Sequence, residues 1–228
     1  MDKHRGRRED RRVAREEYAI ILDYMPQGNP VDRHHPSHRS RPIAQALGDK
    51  YFTLLEFYPK AGVTLSQGEK VYVGFHHKEL RDKVEFVWGE PLIYDDLTGV
   101  AKSFLPEAVR KVILEKEKVF VTFFNVAAPL TIKLHSLELL PTIGKKTMWV
   151  ILEERKKKPF ASLEDLRKRC KIQDPVEVLT QRIISELKGE ERYYLFLDPP
   201  PGVENAIVLG YLHRIYRMLK REEGFEEG

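Results

Sequence analysis

Cysteine and long apolar runs are scarce in this sequence, and each shortage excludes a kind of protein. Cys170 is the single cysteine among 228 residues, so no internal disulfide can form and we expect a reducing, cytoplasmic setting. The longest apolar stretches, around residues 119–128 and 206–212, fall short of the roughly 18 residues that a membrane-spanning helix needs. Residues 1–8 are charged with no apolar stretch behind them, so we expect neither a signal peptide nor a membrane partner.

The motifs of several enzyme classes are also missing. The chain has no GxxxxGK[ST] loop for a nucleotide phosphate, no GxSxG nucleophile turn, no HExxH zinc helix and no paired CxxC. Asp95 and Asp96 are adjacent, and adjacent side chains on a strand point to opposite faces, so turn or capping roles are expected rather than a magnesium site. We therefore expect a non-catalytic protein without a cofactor or a metal.

Residues 27–50 form a polar segment that is rich in histidine and arginine and is predicted to be a loop or a hairpin. Three of its histidines, His34, His35 and His38, lie close together in sequence. A zinc site needs more ligands at fixed geometry, and no cysteine is near, so we interpret the segment as a flexible basic loop. Its candidate phosphate contacts are Arg33, Arg39 and Arg41.

Positive charge is concentrated in part of the chain. The apolar fraction of 42% is enough for a packed core, and the whole chain has a net charge of only +4. Residues 141–171 alone contain ten Lys/Arg and four Asp/Glu, a local net charge of +6, and residues 3–15 hold a second basic cluster. Such density favours a polyanionic partner, although a solvated charged surface is equally consistent with the charge run taken alone.

Residues 17–94 show the alternation of a sheet. Strands are predicted from residue 17 and over 51–58, 70–75 and 83–88, separated by glycine-marked turns, and this pattern predicts an antiparallel barrel of about five strands. Most aromatic residues on such strands are core. Tyr58 and Tyr72 are predicted to be exposed because their neighbours compete for the inner face, and Tyr72 is a candidate for stacking on a base.

The period becomes helical after residue 98. Ser103 is the expected N-cap of a helix with Pro106 in its first turn, and a second helix is predicted over 130–140. Further helices are predicted over 145–158, from Ser162, and over 175–188, and residues 193–197 are expected to return to the barrel as a strand. The predicted division is a charged arm (1–16), a barrel (17–100), a helical domain (101–197) and a linker with an amphipathic tail helix (198–228).

The segment 139–148, Leu-Leu-Pro-Thr-Ile-Gly-Lys-Lys-Thr-Met, indicates a possible function. A turn between two helices places an apolar residue, Ile143, where it can fill the gap between them. Gly144 allows close backbone approach, and the N–H groups of the helix that follows form an anion site together with its dipole. Lys145 and Lys146 add positive charge at the same point, so the pattern predicts a phosphate contact that ignores base identity.

These residues, with 152–156 and 160–166, resemble a helix-hairpin-helix module. The family hairpin is usually Pro-Gly-Ile-Gly with a small residue four positions later, and here Thr142 and Met148 replace the first glycine and the small residue. A degenerate second hairpin at 170–174, with Ile172 as its apolar plug, lacks glycine and is predicted to be structural.

Residues 15–197 as a whole resemble an uncharacterised archaeal family described as predicted RNA-binding, in which an oligonucleotide-binding (OB) barrel is fused to helix-hairpin-helix. The resemblance implies an α+β fold with a small antiparallel OB-like β-barrel and a helical helix-hairpin-helix domain, to which the amphipathic pattern of residues 204–221 adds a C-terminal helix. It implies non-catalytic binding of structured or ribosomal RNA, with the ribosome or translation components as partners. The expected nucleic-acid-binding residues are Thr142, Ile143, Gly144, Lys145, Lys146, Thr147, Lys156, Lys157, Arg33, Arg39, Arg41 and Tyr72.

Two other functions remain open at this point. Helix-hairpin-helix modules are common in DNA repair and recombination, so a DNA-binding accessory protein is the chief alternative. A protein–protein adaptor is the other, in which the barrel and tail helix dock a partner and the hairpin is vestigial. No motif in the sequence reveals the 2′-hydroxyl contacts that separate RNA from DNA.

Overall fold

The computed structural model describes residues 13, 15–32, 35–222 and 224, and the chain divides into two compact units, 1–109 and 110–228. The α+β class predicted from the sequence is confirmed, with a five-stranded antiparallel sheet and six α-helices among these described residues. Apart from residues 13, 15 and 16, the predicted charged arm lies outside the described residues. The predicted division at residues 100 and 197 stays a prediction.

The first unit is built on a curled five-stranded antiparallel sheet, a half-barrel with the strand order β4-β1-β2-β3-β5. The strands are β1 (Tyr18–Met25), β2 (Ile43–Gly48), β3 (Leu54–Pro59), β4 (Lys70–Tyr72) and β5 (Val84–Val87). Five strands were predicted, but β4 and β5 are the two edges of the sheet, which is therefore a half-barrel and not the closed barrel that was expected. The prediction of a loop or hairpin over 27–50 missed β2, which pairs with β1 and β3.

Both faces of the central strands are buried, which explains why the alternation in the sequence was misleading. Every residue of β2 and of β3 is buried. One face carries the main apolar cluster, with Ala44, Ala46, Leu55 and Phe57 among its members. Residues of the opposite face are covered by segments that are distant in sequence. The amide of Gln45, for example, donates to the Asp96 carbonyl at 3.0 Å and accepts from the Thr98 N–H at 2.9 Å.

The turn between β2 and β3 is organised around one buried carboxyl group. Glu16 is fully buried and accepts hydrogen bonds from the backbone N–H groups of Lys50, Tyr51 and Thr53 at 3.0–3.1 Å. Burial raises the pKa of the Glu16 carboxyl to about 7, against the lowering effect of these donors. Gly48 is required beside it, because a Cβ there would lie 2.2 Å from the Glu16 side chain.

Helix α1 (Gly99–Glu115) begins earlier than the sequence predicted. Thr98 is its capping residue, accepting from the Ala101 N–H at 3.0 Å, and its hydroxyl donates to Asp23 at 2.6 Å. The prediction of Ser103 as the N-cap is wrong, since the Ser103 hydroxyl donates to the Gly99 carbonyl inside the helix. Pro106 lies in the helix interior rather than in its first turn.

The second unit is mainly helical. Its helices are the end of α1, α2 (Glu117–Val126), α3 (Lys145–Lys157), α4 (Leu163–Cys170), α5 (Pro175–Lys188) and α6 (Tyr211–Glu222). The predicted starts of α4 and α5 are confirmed: Ser162 accepts from the Asp165 N–H and Asp174 from the Glu177 N–H, both at 3.0 Å. Cys170 is buried, and burial raises the pKa of its thiol to about 11, so it is not a reactive thiolate.

The core of the second unit contains an aromatic cluster of Phe120, Phe123, Phe196 and Tyr211, whose ring centroids are 4.9–5.8 Å apart. Strands β6 (Tyr193–Tyr194) and β7 (Ile207–Val208) pair in parallel and form a separate two-stranded sheet, so the predicted return of 193–197 to the barrel sheet is wrong. A pairing with a distant segment of the same unit took precedence over the local strand pattern.

The C-terminal helix is shorter than the sequence predicted. It begins at Tyr211 rather than near residue 204, because Ile207 and Val208 are in β7. Tyr211, Leu212 and Ile215 are buried, so most of the predicted apolar stripe packs on this chain. Over the described residues, none of the helices combines the length and the apolar character that crossing a bilayer requires.

Candidate nucleic-acid interface

The first hairpin is the turn Leu140–Gly144 between the 3₁₀ turn Ser136–Leu139 and α3. The helix predicted over 130–140 is wrong, since Pro129 and His135 form an isolated β-bridge and only 136–139 is helical. Ile143 is 3% exposed and fills the hairpin interior as predicted. Thr142 takes the left-handed conformation (φ 65°) at the position where the family has glycine. The turn geometry is therefore formed without that glycine, with the strain expected of a β-branched residue there.

Gly144 is the N-cap of α3 and has φ −86° and ψ 179°, an extended conformation open to any residue. Glycine is therefore not required here for conformational freedom. A Cβ at this position would have nothing within 4 Å, so no neighbouring group of the described chain excludes a side chain here. No side chain in the described part of the chain caps α3. The first helical hydrogen bond runs from the Met148 N–H to the Gly144 carbonyl, so the preceding N–H groups lie at an open, positive helix end.

The lysines at this helix end are free of carboxylates. Lys145 and Lys146 are exposed, and neither pairs with an acidic group among the residues that the structure describes. By contrast, Lys156 pairs with Glu153 at 2.9 Å and Lys157 with Glu154 at 2.6 Å on the same helix. The net positive charge of residues 141–171 is therefore least compensated where α3 begins.

Two other basic residues of this region are structural. Arg155 donates to the carbonyls of Phe124 and Ala127 at 3.1 and 2.8 Å and so satisfies the C-terminal end of α2. Arg169 pairs with Glu154 and with Asp165 at 3.2 and 3.1 Å. These two guanidinium groups hold helices together and are not available to a ligand.

The second hairpin, residues 171–174 between α4 and α5, repeats the left-handed residue and the buried isoleucine, and Gln173 then precedes its N-cap, Asp174. Lys171 is left-handed (φ 56°) and Ile172 is buried at 6% exposure, as Thr142 and Ile143 are in the first hairpin. Its helix end differs, because the Asp174 carboxylate caps α5 and pairs with Arg110 at 3.2 Å. Partial desolvation raises the pKa of Asp174, but the Glu177 N–H and Arg110 outweigh it, and the pKa lies below its usual value.

The two hairpins line one cavity of about 430 Å³, a volume within the range of roughly 300–1,000 Å³ common for ligand sites. The first hairpin contributes Thr142, Ile143 and Thr147 to it. The second hairpin contributes residues 171–174, and Glu177, Val178 and Gln181 of α5 complete the lining. Lys171 was not predicted to be a site residue, although the sequence showed a second turn at 170–174 with an isoleucine as its apolar plug.

Trp149 is a further residue that sequence reasoning missed. It is 58% exposed and follows Lys145 by four positions and Lys146 by three, so the three side chains are neighbours on one face of α3. The sequence contained a signal for this exposure, because a helical period that buries Met148 and Ile151 directs Trp149 toward solvent. An exposed indole beside two lysines provides a surface on which an unpaired base can stack.

The remaining predicted site residues belong to the first unit. Arg39 and Arg41 are exposed; Arg39 donates to the Asp32 carbonyl at 3.1 Å, and the Arg41 guanidinium lies 4.2 Å from the centre of the Tyr58 ring. Arg33 lies outside the described residues. The predicted exposure of Tyr58 and Tyr72 is wrong.

The two tyrosines are buried by different neighbours, at 5% and 9% exposure. Arg41 covers the Tyr58 ring, whose hydroxyl lies 2.6 Å from the Ser37 hydroxyl. Tyr72 packs edge-on against Tyr18, with the ring centroids 5.2 Å apart. The sheet exposes Tyr18 and Phe86 instead, at 42% and 49%. Tyr72 therefore has no free face for a base.

Fold and site together define an α+β protein with a half-barrel unit and a helical unit that carries two matched hairpins. The chain belongs to the family described as "Protein of unknown function (DUF655)", whose model matches residues 15–198. The uncharacterized protein MJ0038 of Methanocaldococcus jannaschii is 41% identical over 190 residues, 82% of each chain. The crystal structure of Af1531 from Archaeoglobus fulgidus, of the same family, is 44% identical with a TM-score of 0.71. It is matched over its whole length by 80% of this chain. The archaeal family expected from the sequence is thus confirmed.

Proposed function

We propose that this protein binds RNA without catalysis, by holding a phosphate at the start of α3 in a helix-hairpin-helix module. The observation that supports the proposal is the open helix end at Gly144, with no side-chain cap and with two lysines that have no acidic partner among the described residues. Backbone N–H groups at such an end, backed by the helix dipole, bind anions without reading base identity.

Single-stranded or looped RNA is the favoured ligand because of Trp149. An exposed indole one helical turn from the lysines can stack on a base only when that base is free of its duplex partner. Phosphate held by Lys145, Lys146 and the helix end would fix the backbone beside it. Structured RNA with loops or bulges, such as ribosomal RNA, offers both features.

A matched pair of double variants tests the proposal. Changing Lys145 and Lys146 to alanine removes the two unpaired charges. Changing Lys156 and Lys157 to alanine removes the same charge from the same helix, where it is already paired with glutamates. Affinities for single-stranded RNA, duplex RNA and duplex DNA are measured for both. We expect a loss of at least tenfold for the first pair and less than threefold for the second.

Salt dependence provides an independent measure of the same contacts. With about three to five phosphate contacts, the log–log slope of affinity against salt should be about −2 to −4. The Lys145/Lys146 variant should flatten this slope by about 1 to 2. Equal losses of affinity for both pairs of lysine variants, or a wild-type affinity that does not change with salt concentration, would contradict the proposal. Tighter binding to duplex DNA than to any RNA would instead support a DNA-binding function.

A further inference from the structure

The first unit contains a buried cluster of one histidine and two carboxylates. Asp32, His38 and Glu56 are each no more than 4% exposed, and one ligand atom from each lies within 4.8 Å of the other two. Asp32 and His38 come from the segment that precedes β2, and Glu56 from the middle of β3. This histidine was expected on a flexible basic loop, and that prediction is wrong for His38, which is 2% exposed.

We propose that Asp32, His38 and Glu56 bind a divalent transition-metal ion, with Zn²⁺ the best fit. The Nδ1 atom of His38 lies 3.3 Å from Asp32 Oδ2 and 3.3 Å from Glu56 Oε2. Ligand atoms around a tetrahedral zinc ion with bonds of about 2.0–2.2 Å lie about 3.3–3.6 Å apart. Charge-assisted N–H···O bonds are shorter, about 2.7–2.9 Å. A single Nδ1 proton also cannot serve two carboxylates well.

The far oxygen of each carboxylate is already engaged, which aims the near oxygen at His38. Asp32 Oδ1 accepts from the His35 N–H at 3.0 Å. Glu56 Oε1 accepts from the Gln45 side-chain amide at 3.0 Å, and Gln45 is itself fixed by hydrogen bonds to residues 96 and 98. Outer hydrogen bonds of this kind orient the ligands of metal sites.

Charge and surroundings favour a cation at this point. Two carboxylates and one imidazole are ligand types that a divalent transition-metal ion accepts, and its charge stabilises carboxylates that are removed from water. The His38 ring also packs among aromatic rings, with Trp88 at 4.6 Å and Tyr58 at 5.7 Å between centroids. A divalent ion would neutralise the carboxylates and tie residues 32–38 to the sheet. Three protein ligands leave a fourth position for water or another small ligand.

Metal titration of the full-length, chelator-treated protein is the test. We expect one Zn²⁺ per chain by native mass spectrometry, a higher Tm with Zn²⁺, and a visible Co²⁺ spectrum of four-coordinate type. His38→Ala and Glu56→Gln should weaken Zn²⁺ binding at least a hundredfold, and Gln45→Leu about tenfold. His77→Ala is the matched control, because His77 pairs with Glu79 at 3.1 Å on the surface.

The thermal melts distinguish a metal site from an ion-pair triad. In chelator, Glu56→Gln removes one of two carboxylate charges that are buried side by side, so this variant should melt at or above the wild type. With Zn²⁺ the order should reverse. If Glu56→Gln melts lower in both conditions, His38 is a protonated bridge between carboxylates and the proposal is wrong. Wild-type protein that takes up no Zn²⁺ or Co²⁺, or variants that bind as the wild type does, would also overturn it.

Discussion

The two hairpins of the helical unit share a left-handed residue and a buried isoleucine, and they differ at the start of the helix that follows. Each has a left-handed residue followed by a buried isoleucine, Thr142–Ile143 in the first and Lys171–Ile172 in the second. The following helix begins at an uncapped glycine in the first and at a capping aspartate in the second. In the second hairpin, the Asp174 carboxylate therefore occupies the helix-end position that we propose for a phosphate in the first.

The features that form a hairpin in this unit differ from the features that would form a binding site. The apolar plug and the left-handed residue connect two helices, and both hairpins have them. Binding needs in addition a helix end that the chain leaves open and positive charge that no carboxylate neutralises. By these criteria the first hairpin is a candidate interface, and a structural role for the second hairpin stays a prediction.

Gly144→Asp should have the largest effect, because it gives the first hairpin the capping carboxylate that the second hairpin has. The extended backbone at Gly144 accepts a side chain, and the new carboxylate would cap α3 while it repels phosphate. We expect RNA affinity to fall at least tenfold while the Tm stays equal or rises slightly. Fluorescence anisotropy and a thermal melt measure the two changes.

Gly144→Ala is the control for that variant. It adds a Cβ into open space without an acceptor or a charge, so affinity should stay within about threefold of the wild type. Full RNA affinity in a folded Gly144→Asp protein would show that the first hairpin is only a connection, like the second.

Trp149→Ala should have the next largest effect, and only on unpaired nucleic acid. Stacking of a base on an aromatic side chain contributes about 1–3 kcal/mol, so affinity for single-stranded RNA should fall at least fivefold. Affinity for duplex RNA should change less than twofold. The second hairpin has no counterpart of this residue, since Leu179, which follows Asp174 by five positions as Trp149 follows Gly144, is fully buried. Equal losses on single strands and duplexes would remove the basis for preferring unpaired RNA.

Asp174→Asn should have a small effect in the opposite direction. Asparagine keeps the cap of α5 but removes a negative charge from the cavity that both hairpins line. We expect affinity for RNA to rise about twofold to threefold, with the free energy of unfolding changed by less than about 0.5 kcal/mol. An affinity loss would indicate that the carboxylate, and not a neutral cap, supports binding.

The parts of the fold that local chemistry decides could be predicted from the sequence. The starts of α3, α4 and α5 follow from Gly144, Ser162 and Asp174, and the turn plugs from the isoleucines of each hairpin. Each of these features depends on residues within a few positions of one another, so the local sequence is enough to predict it.

The errors have non-local causes. Strand β2 was missed, and Tyr58 was expected to be exposed, because segments distant in sequence bury both faces of the central strands. The grouping of Asp32 and His38 with Glu56 depends on the same packing, since Glu56 follows His38 by 18 positions in the chain. The error at Trp149 has a local cause, because the helical period of α3 was enough to predict that this side chain is exposed.

The most direct test of the central claim is a ¹H–¹⁵N NMR titration of the full-length protein with a short single-stranded RNA. If a phosphate binds at the start of α3, we expect the largest saturable chemical-shift changes at the backbone amides of Lys145, Lys146 and Thr147. The amides of Val176 and Glu177 at the start of α5 should barely move, because Asp174 already occupies that helix end. Shifts centred on α5, or shifts spread evenly over both helix ends, would contradict the account.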